Sequence, residues 1–145
     1  MKFRSTRGAA RELGFSEALL AGLATDGGLY VPEKLPENLA SGAGPGGAPP
    51  ALVELGSRIV GAFAEGDPLA TELPGICKRA WDFPVPLKLK EEGPAGLLEL
   101  FHGPTAAFKD FAARFLSECV QRLPAKAPRL VLVATSGDKI GRAHV

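Results

Sequence analysis

Apolar positions along this chain recur with two distinct periods, and the change of period marks the elements. Leu52, Leu55, Ile59, Val60 and Phe63 fall three and four residues apart, which predicts an amphipathic helix. A second helix is predicted over residues 72–81, although Pro74-Gly75 weakens its start. Val85, Leu87 and Leu89 then alternate with Pro86, Lys88 and Lys90 at strand period. Gly93-Pro94 signals a turn and residues 97–101 read as the next strand, so the two segments can pair as a hairpin. The strongest helical pattern begins near Thr105. Its apolar face carries Phe108, Phe111, Ala112, Phe115, Leu116, Cys119, Val120 and Leu123, and Pro124 stops it. Leu130-Val131-Leu132-Val133-Ala134 follows as a short apolar strand of the kind buried on both faces of a parallel sheet. A polar turn, Thr135-Ser136-Gly137-Asp138, closes its carboxyl end. Strand, helix and strand with such a turn indicate an α/β fold, in which ligands gather at that edge.

The first forty residues form a smaller unit. Ala18, Leu19, Leu20 and Leu23 make a helical run with Ser16 as its expected N-cap. Asp26-Gly27-Gly28 breaks the helix with residues that tolerate positive φ. Leu29-Tyr30-Val31 reads as a short strand ended by Pro32. Residues 41–50, SGAGPGGAPP, deny helix and strand alike and read as a loop. A surface insertion is favoured over a flexible linker, because the first unit is too small to bury a core of its own.

Composition changes this picture little. At 145 residues the chain is about one domain long. With 46% hydrophobic and 23% charged residues it can bury a core. Lys+Arg at 17 against Asp+Glu at 16 gives no electrostatic argument for nucleic acid or an anionic membrane. Cys77 and Cys119 sit in apolar helical stretches outside any C-x-x-C pair, so reduced buried thiols are expected rather than a disulfide or metal site. The N-terminus lacks a signal peptide's apolar core, and no stretch approaches the roughly 18 apolar residues of a membrane span. The cytoplasm is the expected compartment.

Lys109 is the residue that asks for a chemical explanation. It lies in Phe108-Lys109-Asp110-Phe111, at the start of the long helix and after the turn His102-Gly103-Pro104-Thr105. Burial and the positive end of the helix dipole both disfavour a charged amine there. A neutral lysine is a nucleophile that forms a Schiff base with an aldehyde. By local pattern alone, a solvated lysine paired with Asp110 is the commoner outcome. Thr135, Ser136, Gly137 and Asp138 combine hydroxyls with free backbone N–H groups between a strand and an expected helix, which makes either an anion cradle or an ordinary capped turn. His102 reads as a turn histidine bonded to backbone in preference to an acid–base residue. Arg4, Ser5, Thr6 and Arg7 suit a phosphate or a solvated edge strand, and the residues leave that open. Lys88 reads as a solvated strand position, and Trp81 and Tyr30 as packing residues with a polar tip.

The run from Glu99 to Phe115, ELFHGPTAAFKDFAARF, resembles the PLP-lysine segment of threonine synthases, ELFHGPTxAFKDFxARF. Phe3-Arg4-Ser5-Thr6-Arg7-Gly8 is similar to the family's opening STRG, and Ala24 to Pro32, ATDGGLYVP, is similar to its A-DGGLYVP. Thr135-Ser136-Gly137-Asp138 is similar to the start of its TSGDTG loop. Four blocks in order, over residues 1–138, carry the resemblance. It implies the N-terminal part of a PLP-dependent fold type II enzyme, with a tryptophan synthase beta-like α/β architecture. Lys109 would hold pyridoxal 5'-phosphate as a Schiff base, and Thr135, Ser136, Gly137 and Asp138 would grip the substrate carboxylate. The family reaction converts O-phospho-L-homoserine and water into L-threonine and phosphate. No metal is implied, and oligomeric state is not.

The resemblance also sets expectations for organisation. Residues 1–40 would be the N-terminal unit, 41–50 the Gly/Pro-rich loop and 51–138 the incomplete start of the PLP domain. The family continues SGDTG, whereas this chain reads Asp138-Lys139-Ile140-Gly141-Arg142-Ala143-His144-Val145. The last seven residues resemble a translated sequencing adapter and are expected to be a non-native tail on a truncated chain that is inactive by itself. A threonine synthase-like PLP phospholyase is the nearest alternative, and a non-catalytic scaffold the alternative of a different class.

Overall fold

A computed structural model describes residues 1–37, 50–90, 93 and 95–124. Strand β1 (Phe3–Ser5) pairs antiparallel with β2 (Tyr30–Pro32), with Arg4 opposite Val31. Helix α1 (Phe15–Ala21) lies between them in sequence. Helices α2 (Leu52–Phe63) and α3 (Leu73–Ala80) follow, with a 3-10 turn (Ala70–Glu72) leading into α3. Strands β3 (Leu87–Leu89) and β4 (Gly96–Leu98) form the expected antiparallel hairpin, Lys88 opposite Leu97. Helix α4 (Asp110–Arg122) completes the described chain. The expected buried strand at 130–134, the turn at 135–138 and the tail at 139–145 lie outside the described residues, as does nearly all of the Gly/Pro loop.

Helix α3 packs against both α2 and α4. Ala64, Leu69, Leu73, Ile76, Cys119 and Leu123 close the main core, joined by Phe15 and Leu19 of the N-terminal unit. A second cluster of Phe3, Leu13 and Ala18 also recruits Phe15, together with Phe63. Phe15 therefore belongs to both clusters, and the N-terminal unit shares a core with the helices. Cys77 and Cys119 are buried and unbridged, and burial pushes the Cys119 thiol up to about 12.

Trp81 is the hinge pin of the helical layer. Its ring stacks on Phe115 of α4 with centroids 5.5 Å apart, and its indole N–H donates to the Phe111 carbonyl at 3.0 Å. The Cζ3 edge of the ring abuts Gly56 of α2, where any Cβ would collide with it. Arg114 of α4 ends α3: its guanidinium donates to the carbonyls of Arg79 and Ala80, both at 2.7 Å, and to Asp82. Those carbonyls lie in the last turn of α3 and have no intrahelical partner.

Three expectations about helix boundaries are corrected. The N-cap of α1 is Gly14, not Ser16. The Glu17 carboxylate accepts the Gly14 N–H at 3.1 Å, while Ser16, inside the helix, gives its N–H (2.9 Å) and hydroxyl to Asp67 from the turn after α2. The same helix ends at Ala21, before Asp26-Gly27-Gly28, with Gly22 at φ 66° as its stop. Helix α4 begins at Asp110 rather than near Thr105, because Ala106 takes φ 53° and interrupts any helix through it. Its buried face is also narrower than the sequence pattern, since Phe108, Ala112 and Leu116 are exposed.

Candidate functional site

Lys109 occupies the N-cap position of α4, half-buried, with φ −65° and ψ −17°. Its Nζ lies 5.8 Å from the centroid of the Phe108 ring, which is itself 63% exposed. The fully apolar surround expected from the flanking phenylalanines is therefore half realised: Phe111 packs edge-on against Phe83 at 5.0 Å, while Phe108 faces outward.

The segment before Lys109 is tied down at both ends. Asp110, nearly fully buried, accepts the Thr105 backbone N–H at 2.9 Å on one carboxylate oxygen and the Thr105 hydroxyl at 2.7 Å on the other. Both carboxylate oxygens of Asp110 thus hold Thr105. Gly103 sits against the same side chain so closely that a Cβ would fall 2.8 Å from Asp110 Cβ and 3.0 Å from Cγ. At the other end, Glu99 accepts from His102 Nε2 at 2.7 Å and pairs with Lys88 Nζ of β3. Lys88, and after it His102, holds the Glu99 carboxyl below the usual carboxylate range. His102 is therefore bonded to a side-chain carboxylate, not to backbone, and Lys88 is not a merely solvated strand position. Sequence reasoning missed Glu99. Its i, i+3 spacing to His102 was the available signal, but the link to Lys88 depends on the register of the hairpin.

The N-terminal motif blocks meet away from Lys109, around Asp26. Its carboxylate accepts from Ser5 Oγ (2.7 Å), Gly28 N (2.9 Å), and Ala9 N and Ala10 N (both 3.0 Å). These bonds, that from Ser5 first, lower its pKa to about 2. Arg7 donates to the Asp26 carbonyl, and Thr6 exchanges bonds with Leu29. Gly28 has to be glycine here, since a Cβ would press on the Ser5 hydroxyl and lie 3.1 Å from the Arg7 nitrogen. Of the four residues left open between phosphate binding and an edge strand, Ser5, Thr6 and Arg7 serve this knot, and Arg4 lies on the exposed face of β1. Among the described residues no group of His, Cys, Asp and Glu is arranged to hold a metal ion, and no helix is long and apolar enough to cross a membrane.

Comparison with known proteins bears on all of these residues. A family described as threonine synthase N terminus matches residues 2–81. The chain is 42% identical to the threonine synthase of Pseudomonas aeruginosa over 95% of its own length and 30% of that protein's. It is 34% identical to the threonine synthase of Escherichia coli, covering 95% of this chain and 32% of the relative. Among solved structures, PLP-bound threonine synthase from Brucella melitensis superimposes with a TM-score of 0.69 at 39% identity, covering 81% of this chain and 26% of that one. The yeast threonine synthase structure gives 0.70 at 28% identity, with 83% and 26% covered. The chain thus spans about a third of the length of the curated relatives it matches.

Proposed function

This chain belongs to the threonine synthase family, and from that premise we propose that the complete protein converts O-phospho-L-homoserine and water into L-threonine and phosphate, with pyridoxal 5'-phosphate held covalently by Lys109. The observation that carries the reading is the placement of Lys109. It is a primary amine at the N-cap of α4, in a segment fixed by Asp110 on one side and Glu99 on the other, beside the exposed ring of Phe108. That setting fits a pyridoxal ring: an amine to hold it, and apolar aromatic surface for a planar ring to cover.

When bound, pyridoxal phosphate supplies the electron sink for charge that develops on the substrate carbons. The chain's own residues do the rest. Asp110 fixes the start of α4 and hence the direction of the Lys109 side chain. The Lys109 amine would take and return protons at the substrate carbons as phosphate leaves Cγ and water adds at Cβ. Thr135, Ser136, Gly137 and Asp138 are proposed to form the loop that grips the substrate carboxylate, through hydroxyl and backbone N–H groups. Residues 1–40 form the N-terminal unit in this reading, and 51–138 the opening of the cofactor domain. The cytoplasmic setting expected from the sequence belongs to the same proposal.

The test is chemical. The complete protein, loaded with pyridoxal phosphate and reduced with borohydride, should carry the label on the peptide containing Lys109. Lys109→Ala should lose both the label and phosphate release. A label that stays on another lysine in Lys109→Ala would sink the assignment.

A further inference from the structure

Glu99 lies ten residues before Lys109, and its side chain is only 8% exposed. Both of its oxygens are used. Oε1 meets Lys88 Nζ from β3, and Oε2 meets His102 Nε2 at 2.7 Å. Its backbone N–H donates to the Pro86 carbonyl at 3.0 Å, which anchors the residue to the hairpin from a second direction. Among the described residues, Lys88 and His102 are the charged or titratable groups that face it, one from the strand and one from the turn.

This geometry decides where a hydrogen sits. A carboxylate flanked by an ammonium group is ionised near neutral pH and has no hydrogen to give. The hydrogen in the Glu99–His102 bond therefore belongs to Nε2. In the neutral imidazole the lone pair then falls on Nδ1. The His102 side chain is 31% exposed, with its ring stacked 4.6 Å from that of Phe101, so the ring is steered by its neighbours without being sealed in a core. A histidine oriented by a carboxylate that is held in turn by a third group has the arrangement of an activated base.

We propose that Glu99 is a positioning residue: it locks His102 as the Nε2–H tautomer and leaves Nδ1 as a proton acceptor on the segment that leads to Lys109, with Lys88 holding Glu99 in place. The catalytic consequence rests on the reading of Lys109 given above; the tautomer does not.

The experiment uses the complete protein, loaded with pyridoxal phosphate and labelled with nitrogen-15 in its histidines. Magnetic resonance at a pH where the imidazoles are neutral reports each ring nitrogen, and the His102 signals are those lost in His102→Gln. The expected result is a protonated Nε2 and an unprotonated Nδ1. Glu99→Gln, whose amide can donate as well as accept, should give a mixture of tautomers and lower kcat by on the order of 10²-fold, the low end for losing an acid–base group. Glu99→Asp should restore the single tautomer and part of the rate. A protonated Nδ1 or an even mixture in the unaltered protein overturns the proposal, and this measurement stands even if Glu99→Gln does not fold. Unchanged kcat and unchanged tautomer in a folded Glu99→Gln overturn it as well. Borohydride label on a lysine other than Lys109 defeats the cofactor reading instead and leaves the tautomer result to be judged separately.

Discussion

Adding one methyl group to either of two glycines in α2 should move stability in opposite directions. Gly56 and Gly61 share the helix, and in an exposed helix interior Gly→Ala gains about 0.8–1.0 kcal/mol from propensity. At Gly61 a Cβ meets nothing within 4 Å, so that gain should appear nearly whole. At Gly56 the new carbon would lie 2.8 Å from Trp81 Cε3 and 2.9 Å from Cη2, with Cζ3 closer still. Carbon contacts relax at about 3.5–4.0 Å, so the ring must retreat by an ångström or more. It is held in place by the Phe115 stack and by its hydrogen bond to the Phe111 carbonyl. Overpacking of this kind costs about 1–3 kcal/mol, and loss of the indole bond about 1 kcal/mol more. Set against the propensity gain, Gly56→Ala should be destabilising by about 1–3 kcal/mol. Trp81 is the single tryptophan of the chain, so urea unfolding followed by its fluorescence reads this junction directly. With a urea slope of about 1–3 kcal/mol/M, a loss of 2 kcal/mol lowers the midpoint by roughly 1 M. Equal midpoint shifts for Gly56→Ala and Gly61→Ala would refute the packing of Trp81 on α2.

Two further outcomes follow from the carboxylates. Asp26 has a folded pKa of about 2, below the roughly 3.9 of an unfolded aspartate, so its contribution is complete above about pH 4 and is lost as pH falls through about 2. Asp26→Asn should lower the melting temperature at pH 7 and flatten the acid limb between those values. Melts across a pH series check this, and an unaltered acid limb would count against the Asp26 knot. Asp110→Ala removes the acceptor for the Thr105 N–H and hydroxyl and should cost about 1–2 kcal/mol, with reduced borohydride labelling of Lys109; Asp110→Asn should retain part of both. Stability and labelling that both match the unaltered protein in Asp110→Ala would show that Asp110 does not order the site.

What the sequence made legible were contacts between residues a few positions apart. The apolar spacing of α2 and α3 and the alternation in β3 follow from one element's own geometry, and they were read correctly. What it hid were bonds made over long separations. Ser16 looks like an N-cap by every local rule, yet Asp67, 51 residues on, takes its N–H and hydroxyl, and Gly14 becomes the cap. The STRG and DGGLYVP blocks were visible as strings, but their joining through the Asp26 carboxylate was not, because four donors from two turns converge on it only after β1 and β2 pair. In the FKDFAARF block the sequence shows Lys109 as a candidate for chemistry and the phenylalanines as an apolar face, but not the partners they meet. Most of its other residues do structural work: Asp110 fastens Thr105, Phe111 packs on Phe83, Arg114 ends α3 and Phe115 stacks on Trp81.

That division of labour bears on how Lys109 acquires its chemistry. The helical core is closed around Leu69, Leu73, Ile76 and Cys119, whereas Leu87, Leu89, Leu97 and Leu98 on the hairpin, and Phe101 and Phe108 on the Lys109 segment, are exposed. Lys109 itself is half-buried, beside the exposed ring of Phe108. The described residues thus fix where Lys109 stands without making its surroundings dry. In relatives about three times as long as this chain, further structure is available to cover that surface. In the proposed reading, position and activation of the amine are then set by different parts of the protein. Changes at Asp110, Gly103 or Glu99 act on where the amine points, and changes in the covering structure act on how far water is kept from it. The two classes should separate experimentally: the first alters which lysine is labelled or how completely, and the second alters how fast labelling proceeds.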